Sequence, residues 1–176
     1  MAAPEGAEET GVPALPPAPR RLAQSDDRVR EAVEIRERIA DYARRKDIGL
    51  DRVVVLEVDE LLVTMVELAT MRRELEAHLA GVSPARMERD AGLLDAGTLE
   101  GQRQQLADLR TRCSNLEAEL ARAVAGLRET WLGLLDALAT PGAGSLAASR
   151  TREQVEGLRL RIAAEKEARR DVNEPA

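Results

Sequence analysis

From Leu99 onward the residues Leu99, Gln102, Leu106, Leu109, Cys113, Leu116 and Leu120 recur in alternating steps of three and four. That rhythm belongs to an α-helix that buries one seam against a neighbour, and a strand, with its period of two, cannot carry it. After Leu120 the seam passes through Val124, Leu127, Trp131, Leu134 and Leu138, with two successive steps of four at Leu116, Leu120 and Val124. Such a stutter locally relaxes left-handed supercoiling. A helix from Thr98 to Ala139 is roughly 60 Å long at 1.5 Å per residue. A compact chain of this length has a radius of gyration of only about 16 Å. The spacing therefore predicts a rod that projects from a body or joins an elongated bundle. Its seam is expected to exceed what the short neighbours in the same chain can cover.

A second helix is expected from Asp51, as its cap, to about Ala80. Val54, Val58, Leu61, Met65, Leu68, Arg72, Leu75 and Leu79 follow a 4-3 rhythm, flanked by a second row of Val55, Leu62, Val66 and Ala69. A face this wide implies burial on more than one side, as in a bundle. An earlier helix is expected to be capped by Ser25, Asp26 or Asp27. It buries Ala32, Ile35, Ile39 and Tyr42, with Val29 and Val33 beside them, and ends near Lys46 before Gly49.

Punctuation divides the rest. Gly81, Ser83 and Pro84 read as a helix C-terminus, an N-cap and a first helical position, opening a short helix from about Pro84 to Asp95. Gly92, Gly97 and Gly101 weaken the next junction, where Thr98 is a candidate cap. The run Thr140-Pro141-Gly142-Ala143-Gly144-Ser145 reads as a hinge. Beyond it, Thr151 and Gln154 form a candidate capping box, and Val155, Leu158, Ile162 and Val172 give a stripe thin enough to need a partner. The first 21 residues, with Pro4, Pro13, Pro16, Pro17 and Pro19, are expected to be disordered. Within them Pro16-Pro17-Ala18-Pro19-Arg20-Arg21 fits a P-x-x-P-x-R pattern able to dock in an SH3 groove.

The expected fold is thus all-α: an elongated helical hairpin or bundle with an extended coiled-coil segment. Its parts are a proline-rich tail (1–21), a hairpin or bundle region (22–97), the long coiled-coil helix (98–139), a hinge (140–149) and a charged C-terminal helix (150–176). Composition agrees. Phe is absent, Tyr42 and Trp131 are the only aromatics, and 33% of residues are charged, which suits aliphatic helix packing rather than an aromatic core.

Little in the chain can do chemistry. His78 is the only histidine and Cys113 the only cysteine, which excludes an intrachain disulfide and a His–His metal motif. His78 reads as an exposed helical residue near a C-terminal dipole, and Cys113 as a small apolar member of the seam. Glu57, Asp59, Glu60 and Glu67 lack an E-x-x-H repeat and read as a polar helix edge. There is no phosphate-cradling glycine loop. The basic tract from Arg150 to Arg170 is interleaved with Glu153, Glu156, Glu165 and Glu167 and has no aromatics for base stacking. The stretch Val53 to Met71 contains four acids and is not expected to enter a bilayer. Residues 1–10 carry neither a basic and apolar leader nor the composition of a transit peptide.

The chain is therefore expected to be no enzyme, to need no cofactor or metal, and to reside in the cytoplasm or nucleus. Its expected role is that of a structural subunit of a helical assembly, joined to other helical subunits in a hetero-oligomer. Val54, Val58, Leu61, Met65, Leu68, Leu75, Leu106, Leu109, Leu116, Leu120, Leu127, Trp131, Leu134 and Leu138 form the expected partner interface. An adaptor recruiting through the proline-rich tail is the alternative. In general style the chain is similar to small coiled-coil subunits of eukaryotic complexes of the kinetochore, spindle or vesicle-tether kind. Heptads alone carry that likeness, so it implies no role for any single residue.

Overall fold

The computed structural model describes residues 12–44, 52–82, 89, 96–139 and 144–173, with the side chains of 96, 137, 138, 144–148, 165, 166 and 168–173 left out. The chain is all-α. Its helices are α1 (Pro17–Leu22), α2 (Asp27–Ala43), α3 (Arg52–Gly81), α4 (Ala96–Ala139) and α5 (Gly144–Asn173). Among the described residues there is no strand.

Side-chain pairs fix the directions of the helices. Arg36 of α2 meets Asp59 of α3, while Asp26, just before α2, meets Arg72 further along α3, so these two run antiparallel. Arg72 pairs with Glu117 and Glu76 lies beside Cys113, which sets α3 antiparallel to α4. Gly126 meets Leu158 and Gly133 meets Gln154, so α5 returns along α4. The result is an up-down-up-down arrangement of α2, α3, α4 and α5, in which α5 runs parallel to α3 (Glu57 to Arg152, Glu60 to Arg159).

The wide face of α3 explains the arrangement. Val54, Val55, Val58, Leu61, Leu62, Met65, Leu68 and Ala69 are all buried, more than one neighbouring helix can enclose. Packed with them are Val29, Ala32, Ile35 and Ile39 from α2, Leu120, Ala123, Val124, Leu127 and Leu134 from α4, and Val155, Leu158 and Ile162 from α5. The stutter at Leu120 and Val124 lies inside this core, where both residues are enclosed. Tyr42 stands edge-on to Trp131, ring centres 5.3 Å apart, and joins the far ends of α2 and α4.

α4 and α5 come close at Gly126. A Cβ there would lie 2.7 and 2.8 Å from the two methyl carbons of Leu158, inside van der Waals contact. The buried hydroxyl of Thr130 donates to the Gly126 carbonyl at 2.9 Å, so the small residue adds no unsatisfied hydroxyl to the interface.

Several expectations need correction. The proline-rich segment is ordered from Val12: residues 12–16 are irregular, Pro17–Leu22 is helical, and Leu15 and Pro19 are buried. Proline at the first helical position favours that turn, and the apolar flank of α2 and α3 supplies the burial. The long helix begins at Ala96 and runs through Gly97 and Gly101, both exposed, so these isolated glycines weaken the helix without ending it. The hinge is shorter than 140–149, since α5 already runs from Gly144. The thin stripe of α5 seals the core within the chain, and the seam from Leu116 to Leu134 is covered by the chain's own helices. The first helix ends at Ala43. The roles assigned to Gly49, Asp51, Ser83, Pro84 and Gly92, the helix from Pro84 to Asp95 apart from the helical residue 89, and the hinge at 140–143 lie outside the described residues.

Candidate functional site

The fourteen residues expected to meet partners divide sharply. Val54, Val58, Leu61, Met65, Leu68, Leu116, Leu120, Leu127, Trp131 and Leu134 are buried in the chain's own core. Leu75, Leu106 and Leu109 are only half-buried, and the side chain of Leu138 lies outside the described residues. Of these fourteen, the described ones that stay part-open lie on the last turns of α3 and the first half of α4, while outside the fourteen Leu56, Val63, Leu132 and Leu160 are exposed on the body.

The last turns of α3 and the first half of α4 form an arm. On α3, Met71, Leu75, Leu79 and Val82 follow one another at four, four and three residues, with Met71 and Val82 exposed. On α4 the row Leu99, Leu106, Leu109 and Cys113 is half-buried throughout. Continuing the pairing of Arg72 with Glu117, Gly81 lies level with about residue 108. Some 12 residues of α4 then extend past the end of α3, roughly 18 Å at 1.5 Å per residue. Leu99 and Leu106 ride on that extension.

A polar knot closes the boundary between body and arm. One carboxylate oxygen of Asp26 caps α2, accepting from the backbone N–H of Arg28 at 3.0 Å and of Val29 at 3.2 Å. The other oxygen accepts from Arg72 Nη2 at 2.9 Å. Arg72 also grips Glu117 of α4, and Glu117 accepts from Arg28 Nε at 3.2 Å. Burial by itself lowers the Arg72 pKa, but the hydrogen bond to Glu117 and the charges of Asp26, Glu117 and Glu76 outweigh it and raise the value. The guanidinium stays charged in the seam position where the helical rhythm placed it.

A second buried pair lies deeper. Arg36 is 1% exposed, and its guanidinium donates to both oxygens of Asp59, from Nε at 2.7 Å and Nη2 at 2.9 Å. The same Nη2 donates to the Pro13 carbonyl at 2.6 Å. Desolvation pulls the Arg36 pKa down, and the hydrogen bond and charge of Asp59, with Glu37, push it above the ordinary value. Sequence reasoning missed this pair, although a signal exists. Arg36 continues the row Val29, Ala32, Ile39, and Asp59 continues the row Val55, Leu62, Val66. Opposite charges in two facing apolar rows announce a buried ion pair.

Each of the remaining chemistry-bearing residues has a close partner within the chain. Cys113 is half-buried with its Sγ 4.0 Å from Glu76 Oε1. Burial and the charges of Glu76 and Glu117 raise its pKa against the opposing pull of Arg72, which disfavours the nucleophilic thiolate. His78 is exposed in the last turns of α3, with Nδ1 2.8 Å from the Glu74 carbonyl of its own helix. Glu57 and Glu60 pair with Arg152 and Arg159 of α5. Among the described residues no group of three His, Cys, Asp or Glu is placed to hold a metal ion, and no helix is long and apolar enough to cross a membrane. In its seated form the P-x-x-P stretch is helical from Pro17, with Pro19 buried, which is not the polyproline II form an SH3 groove reads.

No protein-family model, no curated protein and no solved structure matches the chain.

Proposed function

We propose that the chain is a non-catalytic association module, a helical subunit whose body is a platform and whose arm binds the helices of other proteins. The observation that carries this reading is the division of one seam: enclosed from Leu116 to Leu134, half-open from Leu99 to Leu109. Each leucine withdrawn from water contributes on the order of 1.5 to 3 kcal/mol before ordering costs. A partner helix laid along Leu75, Leu79, Leu106 and Leu109 has that energy available, and the knot at Arg72 holds the arm at a set angle to receive it. The arm differs on its two sides, α3 against α4, which favours distinct partners over a symmetric pair of copies.

The test compares proteins captured from cell extract by the full chain and by its L106D/L109D variant. Partners lost selectively by a variant with unchanged helical content are the expected outcome. An identical set of partners with both proteins would overturn the proposal.

A further inference from the structure

Residues 12–25 lie along the outer flank of α2 and α3, and the way they are held is unusual for a chain terminus. Three arginines from the body donate to backbone carbonyls of this segment. Arg36 Nη2 reaches Pro13 at 2.6 Å, Arg30 Nε reaches Ala23 at 3.0 Å, and Arg73 reaches Ser25. Leu15, Pro19 and Ala23, each four residues after the last, turn inward and are buried, with Val12 and Leu22 packed beside them. Guanidinium donors that read carbonyls do not depend on side-chain identity; of the three acceptors Pro13 and Ala23 belong to residues 12–23, and Ser25 belongs to the turn that follows. α4 and α5 also pack on α2 and α3, and Leu15 and Ala23 are continuous with the core those helices enclose.

We propose that this flank of α2 and α3 is a peptide site, filled in the free chain by its own residues 12–23 and able to take the same segment from a second copy. The ligand class follows from the contacts. It is a short segment with apolar residues four apart, a proline at the middle one, and carbonyls free at either end. Tethering gives the chain's own segment an effective concentration in the millimolar range. A second copy therefore competes only when the resident segment is released, and reciprocal exchange between two chains closes into a two-fold dimer.

The test uses the full-length chain and a fluorescein-labelled synthetic peptide of residues 10–24. Leu15→Asp removes the first of the three buried anchors in a variant whose body is monitored by the near-UV signal of Trp131. Trypsin cleavage after the exposed Arg20 and Arg21 reports release of the segment. The expected result is faster cleavage, an unchanged Trp131 signal, and peptide binding to L15D tighter than to the wild type by on the order of tenfold or more. A peptide carrying Asp in place of Leu15 should bind neither protein.

Four outcomes overturn the proposal. Loss of the Trp131 signal in L15D makes the segment part of the core. Unchanged cleavage in L15D means that Leu15 does not hold it. Release without peptide binding, or equal binding to both proteins, means that there is no site.

Discussion

The body and the arm are built from the same two helices, α3 and α4, yet they solve different packing problems. In the body α3 is apolar across two adjacent rows, and α2, α4 and α5 together are needed to enclose Val54 to Ala69. In the arm the apolar surface narrows to Met71, Leu75, Leu79 and Val82 on α3 and to Leu99, Leu106 and Leu109 on α4, interrupted by Gln102 and Gln105. A stripe of that width suits a two-stranded contact. Stripe width, more than total hydrophobicity, decides how many neighbours a helix needs. The change from wide to narrow falls at the Asp26–Arg72–Glu117 knot, where charged groups take over the seam.

The contrast can be strained hardest at the buried pair. Asp59→Ala leaves the Arg36 guanidinium buried without its carboxylate and is expected to cost about 3–5 kcal/mol in urea unfolding. The double change Arg36→Met with Asp59→Leu should recover most of it, and failure to recover would mean that the pair shapes the body beyond its own charges. Next in size, Leu127→Ala should cost about 2–5 kcal/mol as a cavity in an enclosed core. Leu106→Ala, in the arm, should cost about 1 kcal/mol or less. Equal penalties at these two positions would erase the distinction between the regions.

Gly126→Val is expected to cost about 1–3 kcal/mol, because Leu158 already fills the space. A neutral result would show that α5 can move away from α4. The smallest effect belongs to Cys113. Its pKa is raised, so less thiolate is present in the native chain than in the unfolded chain at the same pH near 8. Alkylation by iodoacetamide should be slower natively, and the difference should vanish in denaturant.

How much of this was legible in the sequence depends on the scale of the signal. Periodicity over dozens of residues exposed the four long helices and the width of the α3 face, with the cap of α2 left among Ser25, Asp26 and Asp27. It also placed Arg72 in the seam without saying what would neutralise it. It could not tell whether the Leu116–Leu134 seam would be covered from within or from outside. That depends on chain reversals, and a thin stripe such as Val155, Leu158 and Ile162 looks dispensable until two other helices are seen to need a lid. The ordering of residues 12–22 was hidden for a related reason. Proline-rich composition describes what a segment cannot do alone, whereas Leu15 and Pro19 are held by a surface distant in sequence. Of the expected interface, Leu75, Leu106 and Leu109 kept partly open faces, and the core leucines differ from them in neighbours rather than in kind.

The notch at Gly126 has a mechanical corollary. Two aliphatic helices lying side by side can creep along each other like loosely meshed screws, since one leucine replaces another after a turn of about 5.4 Å. Here the thread carries its deepest gap at Gly126. Displaced by one turn either way, Leu158 would meet Arg122 or Thr130 in place of bare backbone. Gly126 therefore favours one seating of the hairpin, and the pairs of Arg152 with Glu57 and Arg159 with Glu60 hold α5 against α3 in that same seating.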